Sequence, residues 1–207
     1  MVATRFLPVS FNSCNVTIGP IYTKEESEQL GYTVKQDGEH FRRVVPSPLP
    51  MKMVDHQFLA IQRLTDSNCV VICAGGGGIP VVRDPNTGKY KGIEAVIDKD
   101  RAAAMVGSAL NAQGLLILTD VTAVAKDFGK PSQQWIKSAS PSALKKLTGH
   151  FPAGSMGPKV ESAIDFVEKS GGWAAIGSLN EAEEIMAGEA GTVVYSDTPD
   201  DCIEYYE

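Results

Sequence analysis

From Met51 to Tyr195 short apolar runs alternate with longer stretches of helical periodicity, and this alternation narrows the fold more than any other feature of the sequence. The pattern reads as a helix over residues 51–66, a buried strand over 69–73, a helix from Asp98, a strand over 115–118 and a helix near 141–147. A helix from Pro158, a strand near 174–176, a helix over 181–186 and a strand over 192–195 complete the series. Strands separated by helices return through crossovers rather than tight hairpins, which lays them side by side in a mainly parallel sheet with helices on both faces. The expected fold class is therefore α/β, a three-layer α/β/α sandwich. In such sheets ligands gather beyond the carboxyl ends of the strands.

The segment before Met51 follows a different pattern. Thr23 with Glu26 three residues later forms a capping box for a short helix through Leu30. Residues 32–35 and 40–45 flank Gln36-Asp37-Gly38-Glu39, and an Asp-Gly between alternating runs signals a hairpin. Pro46, Pro48 and Pro50 then end the pairing. Residues 15–50 thus read as a small protruding subdomain. At 207 residues the chain suits one well-buried core and is short for two ordinary domains, so residues 1–207 are taken as one domain.

Cys69-Val70-Val71-Ile72-Cys73-Ala74 runs directly into Gly75-Gly76-Gly77-Gly78-Ile79-Pro80. Glycine accepts left-handed backbone angles and lets N–H groups approach a ligand, so such a run at a strand end suits a bound anion. A merely flexible loop between two apolar runs would cost ordering entropy for no gain. The run fits neither familiar fingerprint. The third glycine of a dinucleotide site falls on Pro80 or Val81, and no Gly-Lys-Ser/Thr follows for a P-loop.

Two lysines sit where a cation is disfavoured. Lys159, in Gly149-His150-Phe151-Pro152-Ala153-Gly154-Ser155-Met156-Gly157-Pro158-Lys159, falls in the first turn of the helix expected from Pro158. Lys99 falls in the first turn of a helix whose N-cap is Asp98 and whose apolar side is Ala102, Ala103, Met105, Val106, Ala109 and Leu110. A helix N-terminus bears about half a positive charge, so a lysine there costs roughly 0.3–1 kcal/mol unless an anion intervenes. One such lysine is ordinarily solvated surface. Two, each after a strand and a loop, point to a phosphate held at helix N-termini.

Composition excludes several classes. Lys plus Arg number 19 against 25 Asp plus Glu, a net charge of −6 with no basic stripe, which argues against nucleic-acid binding. Cys14, Cys69, Cys73 and Cys202 show no metal or disulfide spacing and read as reduced thiols. His40, His56 and His150 are too far apart to argue a zinc site, so no metal ligands are assigned. Residues 1–11 are interrupted by Arg5 and Pro8, which supports neither secretion nor membrane insertion. Asp197, Asp200, Asp201, Glu204 and Glu207 make an acidic tail expected to be solvated.

Taken together, these segments resemble the carbamate kinases of the amino-acid kinase family. The matching runs are Ile18-Gly19-Pro20-Ile21-Tyr22-Thr23-Lys24-Glu25-Glu26, Arg42-Arg43-Val44-Val45-Pro46-Ser47-Pro48, and the glycine run with Ile79-Pro80-Val81. They continue in Gly92-Ile93-Glu94-Ala95-Val96-Ile97-Asp98-Lys99-Asp100, Leu116-Ile117-Leu118-Thr119-Asp120-Val121, Phe128-Gly129-Lys130-Pro131, and residues 149–164. The resemblance implies reversible phosphoryl transfer between ATP and carbamate, giving ADP and carbamoyl phosphate with Mg2+. It also implies the ATP-forming direction in arginine breakdown, a cytoplasmic homodimer, and no nucleic-acid or membrane partner. By the same resemblance Lys99 and Lys159 neutralise the transferring phosphate, converging on one pocket, and Asp100 holds those lysines. Gly75, Gly76, Gly77 and Gly78 face carbamate and phosphate, while Thr119, Asp120, Val121, Phe128, Lys130, Met156 and Gly157 lie near the nucleotide.

The chain also departs from the family pattern. The family opens with a strand, a Gly-Gly-Asn loop and an early lysine that have no counterpart here, so the expected fold is N-terminally truncated, with a bared strand edge and apolar surface. Val16 stands where the family has a lysine directed at the substrate, and Ala125 where it commonly has an aromatic near the nucleotide. Three alternatives stay open: a truncated paralogue serving as a nucleotide-binding or regulatory module, a kinase of a sister substrate, and an incomplete gene model.

Overall fold

The structure, a computed structural model, describes residues 4–8, 15–152, 155–196 and 201–207. Cys14, Ala153, Gly154, Asp197 and Asp200, singled out in the sequence, lie outside the described residues. The chain divides into two compact units, residues 1–99 and 100–207.

The first unit contains β1 (Arg5–Pro8), β2 (Asn15–Tyr22), α1 (Lys24–Gln29), β3 (Val34–Asp37), β4 (His40–Pro46), β5 (Pro50–Met53), α2 (Asp55–Asp66), β6 (Ile79–Arg83) and β7 (Tyr90–Gly92). Its strands form two sheets, one of order β5-β1-β6-β7 and an antiparallel one of order β2-β4-β3. The capping box forms as expected: Glu26 N donates to Thr23 Oγ1 at 3.2 Å, and Thr23 N donates to Glu26 Oε2 at 2.8 Å. The hairpin forms too, with Asp37 opposite His40 and Gly38 at φ 64°. That angle is easy for glycine and places the turn where Asp-Gly marks it. Phe6, Met53, Val54, Ile61, Val81 and Ile97 are buried in this unit.

One expectation fails here. Residues 69–72 form no strand, Val70 is 96% exposed and Ile72 67% exposed. A strand is buried only when other strands and helices cover it, and no described strand pairs with these four residues. Their apolar character registers a demand for cover that the described residues do not meet.

The second unit opens within α3 (Lys99–Ala109), whose first residue is the last of the first unit. There follow β8 (Gly114–Thr119), β9 (Val124–Lys126), β10 (Gln134–Ala139), α4 (Pro141–Lys146), α5 (Met156–Ser170), β11 (Trp173–Ser178), α6 (Ala182–Ala187), β12 (Thr192–Tyr195) and β13 (Ile203–Tyr205). The sheet order is β13-β10-β12-β11-β8, with β9 beside β10. Alternate residues along each strand face opposite layers. Leu115, Ile117, Ala174, Ile176 and Val194 meet Val160, Ala163, Ile164, Phe166 and Val167 of α5. Leu116, Leu118, Ala175 and Val193 face the other way, with Ile185 of α6. The unit is therefore a three-layer α/β/α sandwich.

Its sheet is mixed rather than mainly parallel. β8 with β11 and β10 with β12 run parallel, whereas β11 with β12, β10 with β13 and β9 with β10 run antiparallel. β11 and β12 are joined through the short α6. The six residues of α6 span about 9 Å as a helix. The six residues of β11 span about 20 Å as a strand. The helix is thus shorter than the strand it follows. Nor is the acidic tail merely solvated. Ile203 and Tyr205 of β13 pack on the core while Glu204 between them points outward and accepts from Lys137 Nζ at 3.0 Å.

Candidate functional site

A cavity of about 260 Å³ opens in the second unit at the carboxyl end of β8. Thr119 ends β8, Asp120 and Val121 follow it, Ala125 lies on β9 and Phe128 on the loop after it. Ser155, Met156 and Lys159 reach it from the start of α5, and Ala123 and Pro152 complete its lining. The position obeys the rule for α/β sheets, with strand ends and a helix N-terminus converging on one hollow. Val121, Ala125, Phe128 and Met156 give it apolar walls suited to a flat ring, and Thr119, Asp120, Ser155 and Lys159 supply polar groups.

Lys159 is the fourth residue of α5, in its first turn as the sequence suggested. The anion that offsets its position is a carboxylate of the chain itself. Lys159 Nζ donates to Asp100 Oδ2 at 2.9 Å, with side chains only 10% and 9% exposed. Taking two charges out of water is costly, and only their mutual attraction at hydrogen-bond distance repays it. A second pair, Arg101 to Glu161 at 2.7 Å, fastens the same two helices. An ammonium has three N–H donors, so the bond to Asp100 does not exhaust Lys159, which also faces the cavity.

Lys99 is the first residue of α3, exposed and next in sequence to Asp100. In the first unit the glycine run forms a tight turn rather than a loose loop. Gly77 N donates to Ala74 O at 3.1 Å, Ala74 N to Thr4 Oγ1 at 2.9 Å and Ile79 N to Thr4 O at 2.8 Å. Gly77 has φ 133° and Gly78 φ 84°; a Cβ would collide with the Ile97 carbonyl oxygen at the first and with the Phe6 ring at the second. Gly75 and Gly76 face open space. Packing thus requires glycine at 77 and 78, and the free approach lies at 75 and 76.

Of the residues assigned to the nucleotide, Thr119, Asp120, Val121, Phe128 and Met156 line the cavity together with Lys159; Lys130 and Gly157 do not line it. Gly157 N is turned to Pro152 O at 2.9 Å, and its missing side chain lets the backbones approach. Lys130 Nζ donates to Asp127 Oδ1 at 2.8 Å, and His150 Nδ1 lies 3.1 Å from the same oxygen. The bond from Lys130, then that from His150, hold the Asp127 carboxyl well below its ordinary range, at about 2. Sequence reasoning passed over Asp127, Pro152 and Ser155. Pro152 and Ser155 lie within the matching run that ends at Lys159, and Ala125 carried a signal as a gap in an otherwise matching pattern.

A three-layer α/β sandwich with a ring-sized hollow at a strand end and a buried lysine beside it belongs to the α/β class of folds that hold ligands at the carboxyl ends of their strands. The chain belongs to the amino acid kinase family, whose family model matches residues 13–178. Within it the similarity is to carbamate kinases. The chain is 44% identical over 201 residues to the carbamate kinase of Haemophilus influenzae, covering 95% of this chain and 63% of that one. It is 46% identical over 181 residues to that of Escherichia coli strain K12, covering 86% and 58%. The solved carbamate kinase from Giardia lamblia bound to AMP-PNP superposes with TM-score 0.82 at 36% identity, covering 94% of this chain and 64% of that one. A solved structure from Aeropyrum pernix K1 gives TM-score 0.84 at 45% identity, with 94% and 65% covered. The chain thus spans about three fifths of the length of the curated relatives it matches.

Proposed function

We propose that the chain acts as a carbamate kinase, transferring a phosphoryl group between ATP and carbamate, with the cavity at the end of β8 taking the nucleotide. The observation that carries this reading is the buried Lys159–Asp100 pair at that cavity, a fixed positive charge beside an apolar slot. The solved relative bound to AMP-PNP supports it. Phosphoryl transfer needs positioning and neutralisation of spreading negative charge more than a covalent nucleophile. Lys99 and Lys159 supply that charge, Asp100 orients Lys159, and the backbone of Gly75, Gly76, Gly77 and Gly78 faces carbamate and phosphate.

Among the described residues no group of three or more His, Cys, Asp or Glu side chains could hold a metal unaided. The fit is to Mg2+ arriving with the nucleotide, since that ion keeps most of its water and binds chiefly through phosphate oxygens. Bound there, it neutralises charge on the phosphates. The protein works in the cytoplasm as a homodimer in arginine breakdown. Among the described residues no helix is long and apolar enough to cross a membrane.

Val16 favours a second reading. It lies on β2 opposite Val45 and brings no charge where the resemblance implies a lysine. A nucleotide-binding module with little turnover would follow. Two measurements on the purified chain separate the readings: calorimetry with ADP, and ATP formation from ADP and carbamoyl phosphate. Binding with turnover that is lost in Lys159→Ala supports the kinase. Binding without turnover supports the module, and absence of ADP binding overturns both.

A further inference from the structure

We propose that Asp127 is a positioning residue for the nucleotide cavity, its carboxylate tying the loop that carries Phe128 to the segment that leads into Met156. This rests on the nucleotide reading of that cavity. Asp127 follows β9 at φ 54°, a left-handed angle that aspartate tolerates better than most residues. Its Oδ1 accepts from Lys130 Nζ at 2.8 Å and faces His150 Nδ1 at 3.1 Å, and its Oδ2 accepts from Ser132 Oγ at 3.3 Å. The carboxylate is only 13% exposed although its cationic partner Lys130 is 64% exposed and His150 38%. It is the least exposed member of the three.

The links to Lys130 and Ser132 are local. They close the loop over itself, helped by Lys130 N to Asp127 O at 3.0 Å and Gly129 N to Gln133 Oε1 at 2.8 Å. The link to His150 is different because it spans 23 residues. His150 ends a short 3-10 helix over Thr148–His150, and the buried Phe151 and cavity-lining Pro152 follow directly. One carboxylate therefore joins the two segments whose side chains, Phe128 on one and Pro152 and Met156 on the other, form walls of the hollow. Phe128 is itself 56% exposed and rests edge-on against Trp135, centroids 6.2 Å apart. An exposed ring on a loop binds well only if the loop is already fixed, because ordering it on binding subtracts from affinity. Without the carboxylate, Lys130 and His150 would lose their common acceptor and the Phe128 wall its anchor.

The test compares ADP affinity, measured by calorimetry, and the steady-state constants of ATP formation in wild type, Asp127→Asn and His150→Phe. We expect both variants to bind ADP about tenfold more weakly, the effect of one hydrogen bond to a charged group. KM for ADP rises with it and the melting temperature falls slightly in Asp127→Asn, while KM for carbamoyl phosphate stays near wild type. Asp127→Glu, which keeps the charge, recovers part of the loss. A damaged fold would instead raise both KM values together, and that outcome overturns the proposal. So does an Asp127→Asn protein that binds ADP like wild type. If Asp127→Asn does not fold, the half-exposed His150 decides the matter alone: unchanged ADP affinity in His150→Phe overturns the proposal. A wild type that binds no ADP overturns the nucleotide reading itself, a result distinct from equal binding by wild type and variant.

Discussion

The two units treat their apolar side chains differently. In the second, strand residues of β8, β11 and β12 are closed in on both faces, and Phe166, Ile176, Val160, Val167 and Val194 have no measurable exposure. In the first, Val70 and Ile72 stand in solvent, and α2 leaves Leu59 50% and Leu64 41% exposed while burying Ile61. Two sheets share that unit and neither takes in residues 69–72. The same α/β sequence pattern thus yields a closed sandwich in one half and open apolar surface in the other. Periodicity announces which residues seek cover. Whether cover exists depends on neighbours that a local pattern does not contain.

The largest effects should come from the closed unit. Asp100→Ala leaves the Lys159 ammonium buried without its carboxylate and should cost roughly 3–5 kcal/mol, read by chemical denaturation. Phe166→Ala opens a cavity between α5 and Gly107, whose lack of a side chain accommodates the ring, and should cost about 3–5 kcal/mol. If either loss stays below about 1 kcal/mol, within ordinary surface substitutions, the second unit is less closed than its burial implies and the contrast fails.

In the first unit the contrast can be sharpened within four residues. Gly77→Ala forces a methyl onto the Ile97 carbonyl at φ 133°, whereas Gly76→Ala meets open space. The first should cost upward of about 1–3 kcal/mol through overpacking and backbone strain. The second should be close to neutral in melting temperature. Equal losses would mean that the glycine turn is held by something other than the packing of residue 77.

Smaller in stability, though not in behaviour, is the double change Val70→Thr with Ile72→Thr. Neither side chain is covered, so unfolding free energy should move by no more than about 0.5 kcal/mol. Exposed apolar runs promote association between molecules, and threonine keeps the branched shape while adding a hydroxyl, so light scattering at high concentration should fall. A large loss of stability would show that residues 69–72 are covered in solution and would remove the main difference between the halves.

Much of the site was readable because its chemistry is local. A lysine in a helix's first turn, Thr119-Asp120-Val121 at a strand end and the capping box of Thr23 and Glu26 each rest on neighbours within a few residues. What escaped depends on separation. β10 mixes Trp135 and Ile136 with Gln134, Lys137 and Ser138, so its strand character shows only once β9, β12 and β13 flank it. β13 hides in an acidic tail because Glu204 turns outward between two inward side chains. The ammonium of Lys130, in a run that matches the family, is turned to Asp127, three residues back.

The finest comparison lies inside the second unit, between the buried Lys159–Asp100 pair and the nearly surface Lys130–Asp127–His150 cluster. The Asp127 carboxyl ionises at about 2 in the folded chain against an ordinary value of 3.8, held down first by Lys130 and then by His150. A depressed folded value means that the unfolded chain takes up its proton first as pH falls, so the contribution of Asp127 is whole above about pH 4. It should fade as pH drops from the unfolded value of 3.8 through about 2. Asp127→Asn has no such carboxyl, so the stability difference between wild type and this variant should be constant at neutral pH and shrink across that acid window. Urea titrations at a series of pH values would read it. A difference that persists unchanged down to pH 2 would mean the carboxylate's charge contributes nothing, leaving shape alone to hold the Phe128 loop.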